Sequence, residues 1–205
     1  MLLPIVAYPH PVLKKTALEI DPEYPVLDQF LVDMWETMYN ADGVGLAAPQ
    51  VNRSVRLFVI DATALSEHRH PEAAGFKKTF INAEIYREEG EEGIHNEGCL
   101  SFPGLHEDIL RKSIIHIRYH DEKFQKHDER YEGILARIIQ HEYDHIEGIT
   151  MADRLSPLKK ILLKRRLKEI SDGNVDVHYK MIFPGVKRRR TRDEGRGTKD
   201  VRYKI

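Results

Sequence analysis

A short stretch near the middle of the chain, QHEYDHIEG at residues 140–148, restricts its fold and chemistry more than any other feature. His141 and His145 stand four residues apart, an interval that places two side chains on one face of a helix. The preceding GILARIIQ is apolar at helical spacing, and Gly148 is a natural stop, so we predict a central helix here. Glu142 faces the core beside the histidines, where an unpaired carboxylate is costly. The pattern predicts a divalent metal site with its own base, although two satisfied core histidines are the alternative.

Such a site requires a third protein ligand if it is to keep one position open for chemistry. Downstream candidates are Glu169 and His178, in or after a basic helix whose pattern is typical of a surface. Upstream lies Cys99 in EGCLSFP, and a thiolate is a strong ligand for divalent metals. A lone cysteine is otherwise typical of a small buried hydrophobic residue. A zinc peptidase would carry the third ligand downstream, so the location of this ligand separates two classes of hydrolase.

The remaining pattern predicts one domain of mixed type. Predicted helices cover 25–40, 133–148 and 156–171, and predicted strands cover 56–62, 78–86, 113–121 and 123–131. The order of helix, strands and helix favours an α+β fold over a parallel α/β fold. We therefore expect antiparallel β-sheets packed around a central metal-binding helix, with an N-terminal and a C-terminal helix.

Length and composition limit the class of protein. A chain of 205 residues with 41% hydrophobic residues suits one soluble domain. No apolar run approaches the roughly 18–20 residues that cross a bilayer, so we expect no membrane association. The start of the chain lacks the order of a signal peptide, and the single cysteine cannot form an intrachain disulfide. The cytoplasm is the predicted compartment.

The charge is distributed unevenly along the chain. Residues 155–205 carry 16 Lys and Arg against 6 Asp and Glu, a balance of +10, which leaves −11 for the rest. Such a segment is attracted to anionic surfaces such as nucleic acid, or is simply a solvated helix face and a disordered end. We predict a folded region over 1–183 and a basic, flexible tail over 184–205. A metal-stabilised RNA-binding module is therefore a further alternative.

Three segments together resemble a known family. GVGLAAPQ at 43–50, EGCLS at 97–101 and QHEYDH at 140–145 are similar, in this order and spacing, to the signature motifs of peptide deformylases. The resemblance extends from about residue 4 to about residue 170. It implies an α+β domain around the HExxH helix. The implied activity removes the N-formyl group from the N-terminal formylmethionine of newly synthesised polypeptides and releases formate.

The resemblance also implies roles for the residues of the metal site. Cys99, His141 and His145 would bind one divalent ion, and Glu142 would be the general acid and base. The usual physiological ion of the family is Fe²⁺, with Zn²⁺ or Ni²⁺ also accepted. N-formylmethionyl nascent polypeptides would be the partners, and the basic C-terminal region suggests that the ribosome is another.

Further residues are implied to contact the substrate. Gln50 and the backbone N–H of Leu100 would bind the formyl oxygen, and Gly45 would contact the peptide, which could add as a strand to GVGLAAPQ. Seven residues after the cysteine many members have an arginine that orients the substrate, whereas this chain has His106. Either Arg111 compensates for the missing charge, or His106 is an exposed loop residue.

Overall fold

The helices and strands were located in a computed structural model that describes residues 1–67 and 70–186. Most of the predicted tail, residues 187–205, lies outside the described residues. The elements are β1 (Ile5–Val6), α1 (Leu27–Asn40), β2 (Gly45–Ala47), β3 (Leu57–Asp61), β4 (Lys77–Gly98), β5 (His106–His120), β6 (Lys126–Glu132), α2 (Gly133–Ile146), α3 (Pro157–Ser171) and β7 (Met181–Ile182).

The strands form one large antiparallel sheet and one small parallel pair among the described residues. The large sheet has the order β2-β3-β4-β5-β6, with every neighbouring pair antiparallel. In the small pair, β1 lies parallel to β7 and joins the two ends of the described chain. The predicted α+β class is confirmed, and β2 lies at an edge of the large sheet.

The central helix α2 packs its apolar side against the large sheet. Its buried residues include Leu135, Ala136, Ile139 and Ile146, which pack with Phe58 and other residues of the sheet in one cluster. The helix ends before Gly148, which has a φ of +71° as the sequence predicted for a C-terminal stop. The predicted central helix is therefore confirmed.

The outer helices also match their predicted positions closely. The first helix, α1, buries Phe30, Met34 and Met38 in a second cluster with residues on the other face of the sheet. Ser156 caps α3, its hydroxyl accepting a hydrogen bond from the N–H of Lys159 at 3.3 Å. Within the residues that the structure describes, no helix is long and apolar enough to cross a membrane.

Strand β4 differs most from the sequence prediction. It continues from Lys77 to Gly98, whereas the apolar pattern predicted a strand only over 78–86. The second half, REEGEEGIHNEG, is mostly exposed and carries no regular apolar alternation. Its pairing with β5 provides the missing support, because backbone hydrogen bonds along a long hairpin do not require a buried face. This extension carries the chain directly to Cys99.

Candidate active site

The three distant motifs meet in one cleft, which residues of each motif line. Cys99 follows β4, while His141 and His145 lie on successive turns of α2. The candidate ligand atoms of these three residues all lie within 4.8 Å of one another, and Cys99 Sγ is 3.3 Å from His145 Nε2. Among the described residues this is the one cluster of three or more such groups that could share a metal ion. A thiolate and two imidazoles form a donor set that suits a divalent transition metal.

The downstream candidates for a third ligand lie elsewhere. Glu169 is paired with Arg165 and Arg166 on α3. His178 is mostly exposed, and its Nε2 lies 3.1 Å from the carbonyl oxygen of Asn40. Neither belongs to the cluster, so the group that joins the two histidines is the upstream cysteine.

Glu142 is buried beside the cluster with an incomplete set of partners. Glu142 is 4% exposed, and its Oε2 has no hydrogen-bond partner within the described part of the chain. Burial raises the pKa of Glu142 to about 7, with the charges of His141 and Arg111 opposing the increase. A carboxyl with this pKa can both accept and return a proton near neutral pH.

The amide of Gln50 is oriented towards the cysteine by a backbone contact. Its Oε1 accepts a hydrogen bond from the N–H of Ala47 at 2.8 Å. Because that donor fixes which end of the amide is the oxygen, the Nε2 group must point the other way. It lies 3.6 Å from Cys99 Sγ and 3.4 Å from Ser101 Oγ. The cleft therefore has an oriented N–H donor next to the cluster.

The turn after Cys99 presents a second donor. The carbonyl oxygens of Cys99, Leu100 and Ser101 each accept a hydrogen bond, at 2.8, 2.9 and 3.0 Å. The N–H of Leu100, in contrast, donates to no group in the described residues. Because the carbonyl groups around it are held, this N–H has a fixed direction and is suited to stabilise a developing oxyanion.

A buried network that the sequence analysis missed supports His141. The carboxylate of Glu97 lies 3.0 Å from His141 Nδ1 and accepts two hydrogen bonds from Arg111, at 2.7 and 2.9 Å. Arg137 on α2 adds a third, at 3.0 Å. Burial alone would raise the pKa of Glu97, but the hydrogen bonds from His141 and Arg111 hold it far below its ordinary value. Glu97 therefore remains charged and fixes the orientation of the imidazole.

The network also decides the role that was considered for Arg111. This residue is 4% exposed and is held between Glu97 and Asp144, the latter at 2.8 Å. Asp144 is in turn paired with Arg154. Because its guanidinium is fully engaged beneath the cleft, Arg111 does not replace the arginine expected at residue 106, and that alternative is wrong. The acidic residues of the EGCLS and QHEYDH motifs were the signal for this network.

His106 lies at the rim of a cleft of about 440 Å³ that Cys99 and His141 of the cluster also line. It begins β5, opposite Gly98, rather than belonging to a loop, and its side chain is exposed. The imidazole lies over Gly98 so closely that a Cβ there would stand 2.7 Å from His106 Nε2. Glycine at residue 98 therefore permits this placement. The cleft is also lined by apolar side chains, among them Val44, Leu100, Ile134 and Ile138.

Comparison with known proteins agrees with this arrangement. The sequence profile of the family described as polypeptide deformylase matches residues 2–161, which is more than half of the chain. The chain belongs to the peptide deformylase family. The match includes all three motifs that form the cleft.

Individual relatives extend the similarity to nearly the full length. A peptide deformylase of Christiangramia forsetii is 52% identical over 196 residues, which cover 93% of this chain and all of the relative. One of Flavobacterium johnsoniae is 49% identical with the same coverage. A solved structure of a peptide deformylase from Legionella pneumophila superposes with a TM-score of 0.73. It is 33% identical and covers 85% of this chain and 98% of its own.

Family membership establishes the type of reaction. The chain is a metal-dependent peptide deformylase, a hydrolase that removes the N-formyl group from nascent polypeptides. The zinc peptidase and the RNA-binding module that the sequence left open are therefore wrong as descriptions of its main activity.

Proposed function

We propose that Cys99, His141 and His145 bind the single metal ion that deformylation requires. The mutual distances of at most 4.8 Å between their donor atoms support this assignment more than any other observation. Glu97 also supports it, because a carboxylate on the far nitrogen of an imidazole is typical of a metal-binding histidine. When bound, a divalent ion would lower the pKa of a water molecule and polarise the formyl oxygen.

Fe²⁺ is the ion that we propose for the cell, with Zn²⁺ or Ni²⁺ as substitutes. The family resemblance supports this choice, whereas the donor set suits iron and zinc alike. Metal analysis after anaerobic purification tests it, combined with formate release from formyl-Met peptides after reloading each ion. A preparation that contains zinc alone and gains no activity with Fe²⁺ would contradict the proposal.

Glu142 is the proposed general acid and base. It would take a proton from the attacking water and return a proton to the amine that leaves the formyl carbon. Its burial, its raised pKa and the lack of any partner for its Oε2 among the residues that the structure describes support this role. We expect Glu142→Ala to retain metal and lose at least about a hundredfold in kcat, the lower range for a positioned acid–base residue. Glu122→Ala, at an exposed position, is the control.

Gln50 and Leu100 are the proposed donors to the formyl oxygen. As water attacks, this oxygen becomes a tetrahedral oxyanion, which the Gln50 Nε2 group and the Leu100 N–H would stabilise. The fixed amide orientation supports this role, as does a backbone N–H that donates to no group in residues 1–67 and 70–186. Loss of the Gln50 side-chain donor should reduce kcat by about 10²–10³, the usual effect of removing one such donor.

The remaining cleft would hold the peptide. Edge strand β2, which begins at Gly45, leaves backbone groups available for an added strand. The apolar side chains of Val44, Ile134 and Ile138 would contact the methionine side chain. His106 would donate a hydrogen bond to the peptide backbone at the rim, without the fixed charge of an arginine.

Cys99 distinguishes this assignment from a zinc peptidase most directly. In Cys99→Ser the thiolate is replaced by a weaker ligand, so we expect loss of bound metal and of formate release. Retained metal and retained hydrolysis would contradict the proposed ligand set.

The domain boundaries, the compartment and an attraction to the ribosome are also proposals. We infer that residues 1–183 form the catalytic domain, that 184–205 form a basic tail, and that the enzyme works in the cytoplasm, where nascent chains emerge. The +10 charge of residues 155–205 supports attraction to ribosomal RNA. Deletion of 184–205 should weaken co-sedimentation with ribosomes at low salt and leave turnover of short formyl-peptides unchanged. Equal co-sedimentation of both forms would contradict a role of the tail.

A further inference from the structure

The chain returns to the cleft after α3. Gly173, with a φ of +73°, ends this helix, and the following residues run back to β7, which pairs with β1. Between α3 and β7 lie His178 and Tyr179, both beyond residue 161, where the family profile ends. This segment, residues 172–183, is therefore outside the part of the chain that the profile describes.

Two consecutive residues of this segment contact the chain at or beside two of the motifs that line the cleft. His178 Nε2 lies 3.1 Å from the carbonyl oxygen of Asn40, which shortly precedes the GVGLAAPQ motif. The hydroxyl of Tyr179 donates a hydrogen bond of 2.9 Å to the carbonyl oxygen of Leu100, in the EGCLS motif. Tyr179 is 8% exposed and lines the cleft itself. Its ring is thus held in place by packing, which fixes the position of the hydroxyl.

The contact with Leu100 differs from the other contacts of the same turn. The carbonyl oxygens of Cys99 and Ser101 are held by backbone donors, the N–H groups of Phe102 and Tyr8. The carbonyl oxygen of Leu100 is held by a side chain alone among the described residues. The peptide unit that begins at the Leu100 carbonyl therefore depends on one hydroxyl group from a distant segment, whereas the preceding unit, which carries the Leu100 N–H, is held at the Cys99 carbonyl.

We propose that Tyr179 is a positioning residue for deformylation, acting through Leu100. This inference rests on the proposed role of the Leu100 N–H as a donor to the oxyanion. The N–H and the carbonyl of Leu100 belong to successive peptide units that are joined by the φ and ψ angles of Leu100. By restraining the carbonyl oxygen, Tyr179 would limit rotation about these angles and so hold the N–H at the angle that the transition state requires. Small displacements of such a donor reduce the rate, because the benefit of an oxyanion site comes from its fixed geometry.

The effect should fall on kcat rather than on KM. An interaction that strengthens only as charge develops on the formyl oxygen contributes to the transition state and not to substrate binding. Tyr179→Phe keeps the ring and its packing and removes only the hydroxyl. We expect kcat for a formyl-Met tripeptide to fall about tenfold, less than the loss of a whole oxyanion donor, with KM changed less than about twofold.

The experiment compares full-length, metal-loaded variants. Tyr179→Leu removes the ring as well, and Tyr86→Phe is the matched control, because it removes a hydroxyl that bonds to Asp128 at 2.7 Å on the distant sheet surface. Metal content and the temperature of unfolding are measured for each variant alongside kcat and KM. A selective loss of kcat in Tyr179→Phe, with metal content retained and Tyr86→Phe unchanged, supports the proposal.

Two other outcomes would contradict the proposed role of Tyr179. If Tyr179→Phe has the kcat of the wild type while Tyr179→Leu loses activity, the residue only fills space. If the loss in Tyr179→Phe follows lost metal or an increase in KM alone, the residue does not act through the oxyanion donor. Wild-type enzyme that releases no formate with any metal would instead contradict the proposed function, so the two failures are distinguishable.

Discussion

The backbone of Gly45 lies directly against the carboxylate of Glu142. A Cβ built on Gly45 would stand 2.4 Å from Glu142 Oε1 and 2.7 Å from Cδ. Strand β2 approaches α2 so closely here that only a residue without a side chain leaves room for the carboxylate. Gly45 therefore leaves space for the buried carboxylate, and it would also allow a peptide that pairs with β2 to approach closely.

We expect Gly45→Ala to displace Glu142 and to reduce kcat/KM by at least about a hundredfold, comparable to loss of a positioned general base. The glycine has no left-handed φ, so the backbone of the variant can keep its conformation and the fold should persist. The measurement is formate release at saturating metal. Gly93→Ala is the control, because its nearest neighbour is at an ordinary 3.7 Å. Equal activity of Gly45→Ala and Gly93→Ala would show that Glu142 tolerates the displacement.

Glu97→Gln should weaken metal binding. The charged oxygen beside His141 Nδ1 is replaced by a neutral amide, and two arginines lose their anion. Removal of such a partner typically reduces metal affinity by about 10–100-fold. Breaking a buried ion pair costs about 3–5 kcal/mol of unfolding free energy. Competition with a chelator measures the affinity, and urea unfolding measures the stability.

The control for this variant is Glu92→Gln, on the same strand. Glu92 is exposed and lies 3.5 Å from Lys112, so its loss should change neither quantity beyond the small effect of a surface pair. Wild-type affinity in Glu97→Gln would show that the imidazole of His141 is oriented by other contacts.

The motifs predicted the residues that meet in the cleft, but not the residues that hold them. Helix periodicity located α1, α2 and α3, because each combines an apolar repeat with a recognisable end. The second half of β4 was missed because its stability comes from pairing with β5, and a sequence does not display pairing between distant segments. Glu97 and Asp144 stood within the motifs, whereas Tyr179 carries no local signal and acquires its contact only when the chain returns after α3.

Stability should depend on pH through Glu129. Its carboxylate accepts hydrogen bonds from Lys78 at 2.8 and 2.9 Å and from Tyr119 at 2.7 Å. Burial opposes ionisation, but these hydrogen bonds lower the pKa of Glu129 below its ordinary value. A carboxyl whose pKa is lower in the folded state stabilises that state at every pH above its unfolded pKa of about 4.3. This contribution disappears as the pH falls through the folded pKa.

Glu129→Gln should therefore reduce the unfolding free energy by about 1 kcal/mol at pH 7, a modest value because both charged groups are one-third exposed. The difference from wild type should decrease between pH 5 and pH 3 in urea titrations. Glu122→Gln, at an exposed position, should show no such dependence. A difference that remains constant with pH would mean that the carboxylate contributes only through packing.

Alanine substitutions at Gly148 and Gly75 can distinguish the cost of backbone strain from the cost of a steric clash. The φ of +71° at Gly148 disfavours any side chain, and a Cβ would also stand 2.9 Å from backbone atoms of Lys14 and Lys15. Gly75 has a similar φ of +68°, yet a Cβ there would meet nothing within 4 Å. Gly75→Ala should thus cost about 1–2 kcal/mol of unfolding free energy from strain alone. Gly148→Ala should cost at least about 1 kcal/mol more, because backbone atoms cannot move aside as a flexible side chain can. Urea unfolding of both variants measures the difference. The N–H of Ala17 donates a hydrogen bond of 2.7 Å to the carbonyl oxygen of Ile146, which ties residues 14–17 to the end of α2. Equal losses in the two variants would show that residues 14–15 shift freely in spite of this contact.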